Sequence, residues 1–267
     1  MKKSLLISAL TLSCFAIAGC NTQQDTDTMN QISLLQGLTL WDYYWSVSIK
    51  ELKTLGNIWL WTFEGLNGEL IMLDWVVYRG NDKLEAEIPS DDTLIPFANI
   101  TFLDKDYELK LENISTIEEL KKQLDEKVNE LGNHKFYMVR ITWSFNTMHI
   151  RSEKKQEEPY KPLVDVLRVD QTEKTFNDIS WDVVALYTPD YMSDLNAAGW
   201  HFHFISSDKK AWGHILNLDI KSANAIIDET EKFNLYIPNW EFFNWLNLTV
   251  DQNAAIKEVE QGQKKEE

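Results

Sequence analysis

Cysteine is nearly absent from this chain of 267 residues, which contains only Cys14 and Cys20. Both lie close to the N-terminus, so the rest of the chain can form neither a disulfide nor a thiolate metal site. Any metal bound by that part must therefore be held by nitrogen and oxygen ligands.

Basic residues are also scarce, with 26 Lys and Arg against 42 Asp and Glu and a formal net charge of -16. This balance argues against nucleic acid as a partner and against an electrostatic membrane patch. Apolar residues are not scarce, because they make up 44% of the chain. The length therefore suits one large domain or two small ones with a real core.

The apolar run from Leu5 to Ile17 is too short to count as a membrane-spanning helix. It follows Lys2 and Lys3, which is the pattern of a secretion signal. The run Ile17-Ala18-Gly19-Cys20 resembles a bacterial lipobox. We expect a signal peptide over 1–19, a lipid on Cys20, a flexible linker over 20–31, and a protein anchored to a bacterial membrane outside the cytoplasm. An ordinary cleaved signal with a chance cysteine is the alternative.

The most informative stretch is 199–204, in which His201 and His203 are two residues apart. In a β-strand such residues project from the same face. The polar segment 206–210 is suited to a chain reversal, which would bring His214 beside the pair. Three imidazoles with a fourth position open are what a catalytic zinc ion needs. The alternating residues are aromatic and are predicted to face a core: Trp200, Phe202 and Phe204.

Periodicity predicts both helices and strands in the remaining chain. The clearest helix covers 116–131, with capping-box spacing between Thr116 and Glu119 and a stop at Gly132. A short helix after Pro162 and one or two helices over 241–260 are also expected. Strands are predicted over 58–63, 69–78, 96–103, 136–145, 183–187 and 234–238.

We therefore predict an α+β fold with two β-sheet-rich subdomains, mixed or antiparallel, and a few helices packed on them. The N-terminal subdomain would cover 32–160. The C-terminal subdomain would cover 161–267, carrying the histidine cluster and a helical tail.

Five stretches together resemble the alpha-acetolactate decarboxylase family from about residue 32 to the end. They occur in the family's order and at compatible spacing: 62–70 (TFEGLNGEL), 151–152 with 156–163 (RS and QEEPYKPL), 188–191 (TPDY), 201–204 (HFHF) and 213–214 (GH).

The resemblance implies a zinc-dependent carboxy-lyase that converts (S)-2-acetolactate to acetoin and carbon dioxide. It implies zinc ligation by His201, His203 and His214, with the metal acting as a Lewis acid for the enediolate. It also implies active-site roles for Thr62, Glu69, Arg151 and Glu260, with Glu258 as an alternative to Glu260. A homodimer is expected on the same ground.

Two other classes of function remain open from the residues alone. One is a different enzyme with three histidines around a metal, such as a hydrolase or a cupin-like oxygenase. The other is a lipid-anchored binding protein that has kept the fold and lost the activity.

Glycine is scarce, with 10 residues, while tryptophan is abundant, with 11. Where the family pattern has glycine, this chain repeatedly has tryptophan, at Trp41, Trp59, Trp61, Trp75, Trp143, Trp181 and Trp212. Glycine at such places serves a positive φ or a close backbone approach, which tryptophan cannot serve. We hypothesise that the source organism decodes UGA as glycine and that these tryptophans are misread glycines. A divergent homologue with an enlarged aromatic core is the alternative.

Overall fold

The computed structural model describes residues 25–44, 46–193 and 195–261. The predicted signal peptide and the cysteines at 14 and 20 lie outside the described residues. None of the helices within these ranges is long and apolar enough to cross a membrane.

Strands dominate the described chain, and six α-helices accompany them. The strands are β1 (Thr28–Ile32), β2 (Val47–Ser48), β3 (Ile58–Thr62), β4 (Glu69–Leu73), β5 (Val76–Gly80), β6 (Ala86–Glu87), β7 (Leu94–Ile95), β8 (Phe97–Thr101), β9 (Tyr107–Ile114), β10 (Phe136–Glu153), β11 (Gln171–Thr188), β12 (Gly199–Ser206), β13 (Trp212–Thr230) and β14 (Lys232–Tyr236). The helices are α1 (Leu35–Thr39), α2 (Ile49–Leu52), α3 (Ile117–Leu131), α4 (Leu163–Val169), α5 (Glu241–Trp245) and α6 (Asn253–Gln261).

Two large sheets organise these strands. Seven strands form a mixed sheet in the order β14-β1-β8-β3-β4-β5-β6, in which only β1 and β14 run parallel. Five strands form an antiparallel sheet in the order β10-β11-β12-β13-β9, and β10 also pairs with β13. The second sheet therefore closes on itself, which leaves few unpaired backbone groups at its edges. This architecture confirms the predicted α+β class, whereas the proposed subdomain boundary near residue 160 stays a prediction.

The apolar core has two main parts around the five-stranded sheet. One part packs α3 against that sheet and contains Trp200, Phe202 and Phe204, as their alternation predicted. The other part joins the two sheets. It contains Leu60 and Ile71 of the seven-stranded sheet and apolar side chains of the five-stranded sheet. The histidine side of β12 faces this second part, so the candidate site lies between the sheets.

The predicted helix over 116–131 is confirmed as α3, which begins at Ile117. Its apolar stripe is buried, because residues spaced three and four apart share one helix face. The Thr116 hydroxyl accepts a hydrogen bond from the Glu119 backbone at 3.2 Å. The Glu119 carboxylate accepts from Ser115 rather than from Thr116, so the reciprocal half of the predicted capping box is displaced by one residue.

One strand prediction was wrong, because the segment 69–78 is two strands. Asp74 and Trp75 both take positive φ, at 50° and 71°, and form the turn between β4 and β5. Two consecutive residues with positive φ are the signature of a type I′ hairpin turn, for which Asp-Gly is a favoured sequence. Because tryptophan occupies the second position, the sequence lacks the usual signal for this turn.

The tryptophans predicted to replace glycine include four with positive φ. These are Trp41 at 63°, Trp61 at 132°, Trp75 at 71° and Trp143 at 156°. A bulky residue in this region of φ is an outlier, since its Cβ clashes with the backbone. Trp212 does not share this conformation, but its indole lies against Gly80 so closely that a Cβ on Gly80 would come within 1.6 Å of it. Backbone conformation at four of these seven positions is therefore what glycine favours.

Replacing Trp75 with glycine is expected to raise the free energy of unfolding by about 1 kcal/mol, because the left-handed penalty disappears. Trp75 is 43% exposed and its ring lies 5.7 Å from that of Phe102, so the apolar area that the substitution uncovers offsets part of this gain. Chemical denaturation of the two proteins measures the change. Trp245→Gly is the control, because Trp245 is 82% exposed and ends a helix without positive φ. Equal or lower stability of Trp75→Gly would contradict the strain argument.

Candidate active site

Strand register brings the predicted site residues into opposed pairs. Thr62 of β3 faces Glu69 of β4 in the first sheet. In the second sheet, His203 of β12 faces His214 of β13, and Arg151 of β10 faces the same His214. The predicted hairpin between the two histidine segments is therefore present. A register shift beside Ile150 precedes the Arg151 pair, as is common next to functional sites.

The three histidines form a buried cluster whose ring nitrogens approach closely. One nitrogen from each ring lies within 4.8 Å of the others, and the Nε2 atoms of His201 and His203 are 2.8 Å apart. In each of these two rings, the other nitrogen donates a hydrogen bond to a fixed acceptor. His203 Nδ1 donates to the Leu70 carbonyl at 2.7 Å, and His201 Nδ1 donates to Glu260 Oε2 at 2.6 Å.

These contacts determine where the lone pairs point. Burial lowers the pKa of His201, and lowers the pKa of His203 to about 4, so both rings are neutral near pH 7. A neutral ring that donates through Nδ1 has its lone pair on Nε2. The two Nε2 lone pairs therefore face each other, an arrangement that a shared cation would stabilise.

His214 completes the set with a free lone pair of its own. Its Nε2 lies 3.3 Å from the Glu260 carbonyl, to which it donates. Its Nδ1 is buried and has no hydrogen-bond partner among the described residues. Burial, and then the nearby Arg151, hold the pKa of His214 well below its ordinary value.

Glu69 is buried, although a residue beside a hairpin glycine would by default be exposed. The backbone explains this position, because Gly68 has a φ of 82° and a Cβ there would lie 2.0 Å from the Gly80 carbonyl oxygen. Only glycine allows β4 to start so close to β5. Glu69 Oε2 then lies 3.1 Å from His203 Nε2. Burial raises the pKa of Glu69, and the positive charge of Arg151 partly opposes that rise.

Glu260 lies on α6 and reaches the site from the C-terminal helix. Burial opposes its ionisation, but His201 and Arg151 outweigh burial, and the pKa of Glu260 is lowered. It is therefore an ionised acceptor for His201. The alternative, Glu258, forms an ion pair with Arg168 at 2.9 Å outside the histidine cluster.

Arg151 is the cation of the site and is 2% exposed. The one hydrogen bond that its guanidinium makes within the described residues is long, at 3.4 Å to Gln171 Oε1. The buried Nε has no partner there. A buried guanidinium with unused donors is suited to bind a carboxylate.

Glu153 is a site residue that the sequence analysis missed. It is buried, and its Oε1 lies 3.4 Å from the Thr62 hydroxyl, which donates to the Gly68 carbonyl at 2.9 Å. Burial, and then Glu69, raise the pKa of Glu153 well above its usual value. The signal for it was strand alternation, since residues 151 and 153 share a face of β10.

Little open space remains in front of the histidines. A cavity of about 20 Å³ is lined by Trp61, Thr62, Glu69, Arg151 and His201, among others. That volume admits about one water molecule. The Trp61 ring stacks on His201 with a centroid distance of 3.9 Å, and its Nε1 donates to Asn99 at 2.8 Å. A larger cavity, of about 540 Å³, includes Glu260 but none of the three histidines.

Known proteins of similar sequence share one description. The family model of alpha-acetolactate decarboxylase matches residues 29–250. An alpha-acetolactate decarboxylase of Methanosarcina mazei is 32% identical over 220 residues, which cover 82% of this chain and 75% of that protein. One of Brevibacillus brevis is 31% identical over 236 residues, which cover 88% and 81% of the two chains.

Solved structures agree with these sequence matches. The crystal structure of alpha-acetolactate decarboxylase from Bacillus subtilis strain 168 has a TM-score of 0.83 and 26% identity, and the match covers 88% of this chain and all of that chain. By sequence and by architecture, the chain belongs to the alpha-acetolactate decarboxylase family.

Proposed function

We propose that this chain decarboxylates (S)-2-acetolactate to acetoin and carbon dioxide with a zinc ion held by His201, His203 and His214. Family membership supports the reaction. One observation carries the metal, namely the two neutral imidazoles whose Nε2 lone pairs face each other at 2.8 Å. An acetoin colour assay on purified protein, with and without added zinc, tests the proposal.

The donor set suits zinc in particular. Neutral imidazole and carboxylate are ordinary zinc ligands, and metal ligation requires unprotonated nitrogens, which the lowered histidine pKa values supply. The hydrogen bonds of His201 to Glu260 and of His203 to Leu70 hold each ring in one tautomer. Such outer contacts orient metal ligands and are part of a built site.

The substrate has a carboxylate, a hydroxyl and a neighbouring ketone. Loss of carbon dioxide leaves an electron pair that enters the carbonyl as an enediolate, and a bound zinc ion would supply Lewis-acid stabilisation of that charge. The buried, unpartnered Nε of Arg151 supports a role for this guanidinium in binding the substrate carboxylate. The buried surroundings strengthen this contact because water does not compete for it.

The two glutamates are suited to different tasks. Glu69 has a raised pKa and can carry the proton that must reach the enediolate carbon. Glu260 is ionised and bound to His201, so its task is to position that ring. Thr62 and Glu153 lie beside Glu69 and restrict its orientation.

Glutamine substitutions are expected to separate these roles. Glu69→Gln should keep zinc and lower kcat by about 10²- to 10⁴-fold, as loss of a general acid does. Glu260→Gln should weaken zinc binding by about 10- to 100-fold and recover activity at high zinc, as loss of a contact behind a metal ligand does. Metal analysis, initial rates and chiral chromatography of acetoin measure both. A larger loss of kcat in Glu260→Gln than in Glu69→Gln, measured at saturating zinc, would reverse the assignment of these two roles.

A binding protein without activity is the second candidate, and the cavity of about 20 Å³ favours it. Bound zinc with no acetoin formed would support that alternative. Activity on an ester and none on acetolactate would instead favour a hydrolase.

The lipid anchor on Cys20, the extracytoplasmic location and the homodimer remain proposals. Mass spectrometry of membrane-extracted protein would detect an acylated N-terminal cysteine. Sedimentation of the soluble part would give the number of subunits.

A further inference from the structure

A second group of possible metal ligands lies far from the histidines. Asp104 and Asp106 belong to the connection between β8 and β9, and Asp228 lies near the end of β13. One carboxylate oxygen from each lies within 4.8 Å of the others. Asp228 is fourteen residues from His214 on the same strand, which corresponds to roughly 45 Å of extended chain.

Asp228 is a buried carboxyl group without a basic partner among the described residues. It is 0% exposed, and neither of its carboxylate oxygens has a hydrogen-bond partner among the described residues. Its oxygens lie beside those of Asp104 and Asp106, which are themselves acidic and exposed. Burying a carboxylate without a partner is costly, and two like charges beside it increase the cost.

The neighbouring lysines are engaged with other carboxylates. Lys105 pairs with Glu108, and Lys232 pairs with Asp25 at 2.9 Å. Within the described part of the chain, no Lys or Arg forms an ion pair with any of the three aspartates. Burial, and then Asp104, raise the pKa of Asp228 to about 9. The surroundings of Asp228 thus lack a positive charge.

Backbone contacts hold Asp106 beside Asp228. Asp106 donates its N–H to the Ile227 carbonyl at 3.2 Å, and Asp106 Oδ2 accepts from the Glu229 N–H at 2.8 Å. The connection is therefore attached to β13 on both sides of Asp228. Little rearrangement is needed for the carboxylates to bind one ion, because their supporting backbone is already fixed.

We propose that Asp104, Asp106 and Asp228 bind one calcium ion that links the β8–β9 connection to the end of β13. All three donors are carboxylate oxygens, which hard cations prefer, and no nitrogen or sulfur donor belongs to the cluster. Calcium accepts an irregular shell completed by water, whereas magnesium demands a near-octahedral one. The site is structural, since it lies far from the histidine cluster and ties two segments of backbone together.

Calorimetry of the purified full chain, with zinc held constant and saturating, tests this site. Calcium titration should show one site per chain, and calcium a hundredfold above Kd should raise Tm by about 5 °C. The His203→Ala variant should keep the calcium response, because it alters only the histidine cluster. Loss of the response in His203→Ala would assign calcium to the histidines and overturn the proposal.

Asp228→Asn keeps the shape of the side chain and removes its charge. It should abolish the calcium response and raise Tm without calcium, because folding no longer has to neutralise a buried carboxylate. Asp104→Ala, at an exposed position where folding is not at risk, should also abolish the response. Asp82→Asn, at an exposed aspartate in the β5–β6 connection, is the matched control and should respond like the unchanged protein.

Three further results would overturn the proposal. The first is the absence of any calcium response in the unchanged chain, which would make Asp228 a neutral buried carboxyl. The second is a calcium response in Asp104→Ala and Asp228→Asn that equals the response of the unchanged chain. The third is tighter binding of magnesium than of calcium in the same titration.

Discussion

His203→Ala is expected to remove bound zinc and to lower acetoin formation more than about a thousandfold. This loss exceeds the roughly 10- to 100-fold effect of losing a residue that only supports a metal ligand. His203 is the most constrained of the three rings, because it is fully buried, donates to the Leu70 carbonyl, and faces both His201 and Glu69. Removing it takes one nitrogen ligand and leaves Glu69 without its nearest partner. Metal analysis and the acetoin assay on the same preparation measure the two losses together.

Folding must be separated from chemistry in this experiment. His203→Gln retains much of the volume and the polarity of the ring, so its circular dichroism and unfolding midpoint should stay close to those of the unchanged chain. His149→Ala is the control, because His149 is half-buried and pairs with Glu173 at 3.3 Å away from the cluster. Zinc and activity retained in both His203 variants would refute the proposed metal site.

Trp61→Gly is expected to increase kcat/KM by at least about tenfold, because it clears the space in front of His201. The Trp61 ring stacks on His201 at 3.9 Å, and the remaining cavity of about 20 Å³ is much smaller than acetolactate. Trp61 also has a φ of 132°, so glycine relieves backbone strain at the same residue. Initial rates over a range of acetolactate concentrations measure the change, and most of the gain should appear as a lower KM.

The control for this substitution is Trp200→Gly. Trp200 has no positive φ, packs in the core on the other side of β12, and donates through Nε1 to Asp125 at 2.7 Å. Its loss should destabilise the protein by about 3 to 5 kcal/mol, as removal of a buried aromatic ring does. If Trp61→Gly lowered both activity and stability, as expected for Trp200→Gly, the Trp61 ring would be needed for core packing.

The same residue tests the hypothesis that UGA is read as glycine. Four of the seven tryptophans in question have the positive φ that favours glycine, and Trp61 fills the space in which a substrate would bind. Peptide mass spectrometry of the native protein across 59–61 decides the point directly. Tryptophan masses there would reject recoding, whereas glycine masses would explain both the strain and the closed cavity.

The histidine hairpin shows how far strand alternation alone can predict a site. His201 and His203 share a face because side chains alternate, and the polar reversal returns His214 to the same face. Alternation would also have found Glu153, which lies two residues after Arg151. Helix α3 was predictable for a similar reason, since its apolar period and its cap residues are all local.

Features that depend on neighbouring residues could be predicted from the sequence: the α3 helix, the histidine pair, the aromatic core face of β12, and the lack of thiol ligands. The folded structure was needed to show that Glu69 is buried, that Glu260 reaches His201 from α6, and that three aspartates from two segments meet. Burial and charge environment could not be predicted, because they depend on residues that are distant in the chain. Thr62, Glu153 and Val259 line one cavity only because two sheets and α6 pack together, and no local pattern records that packing.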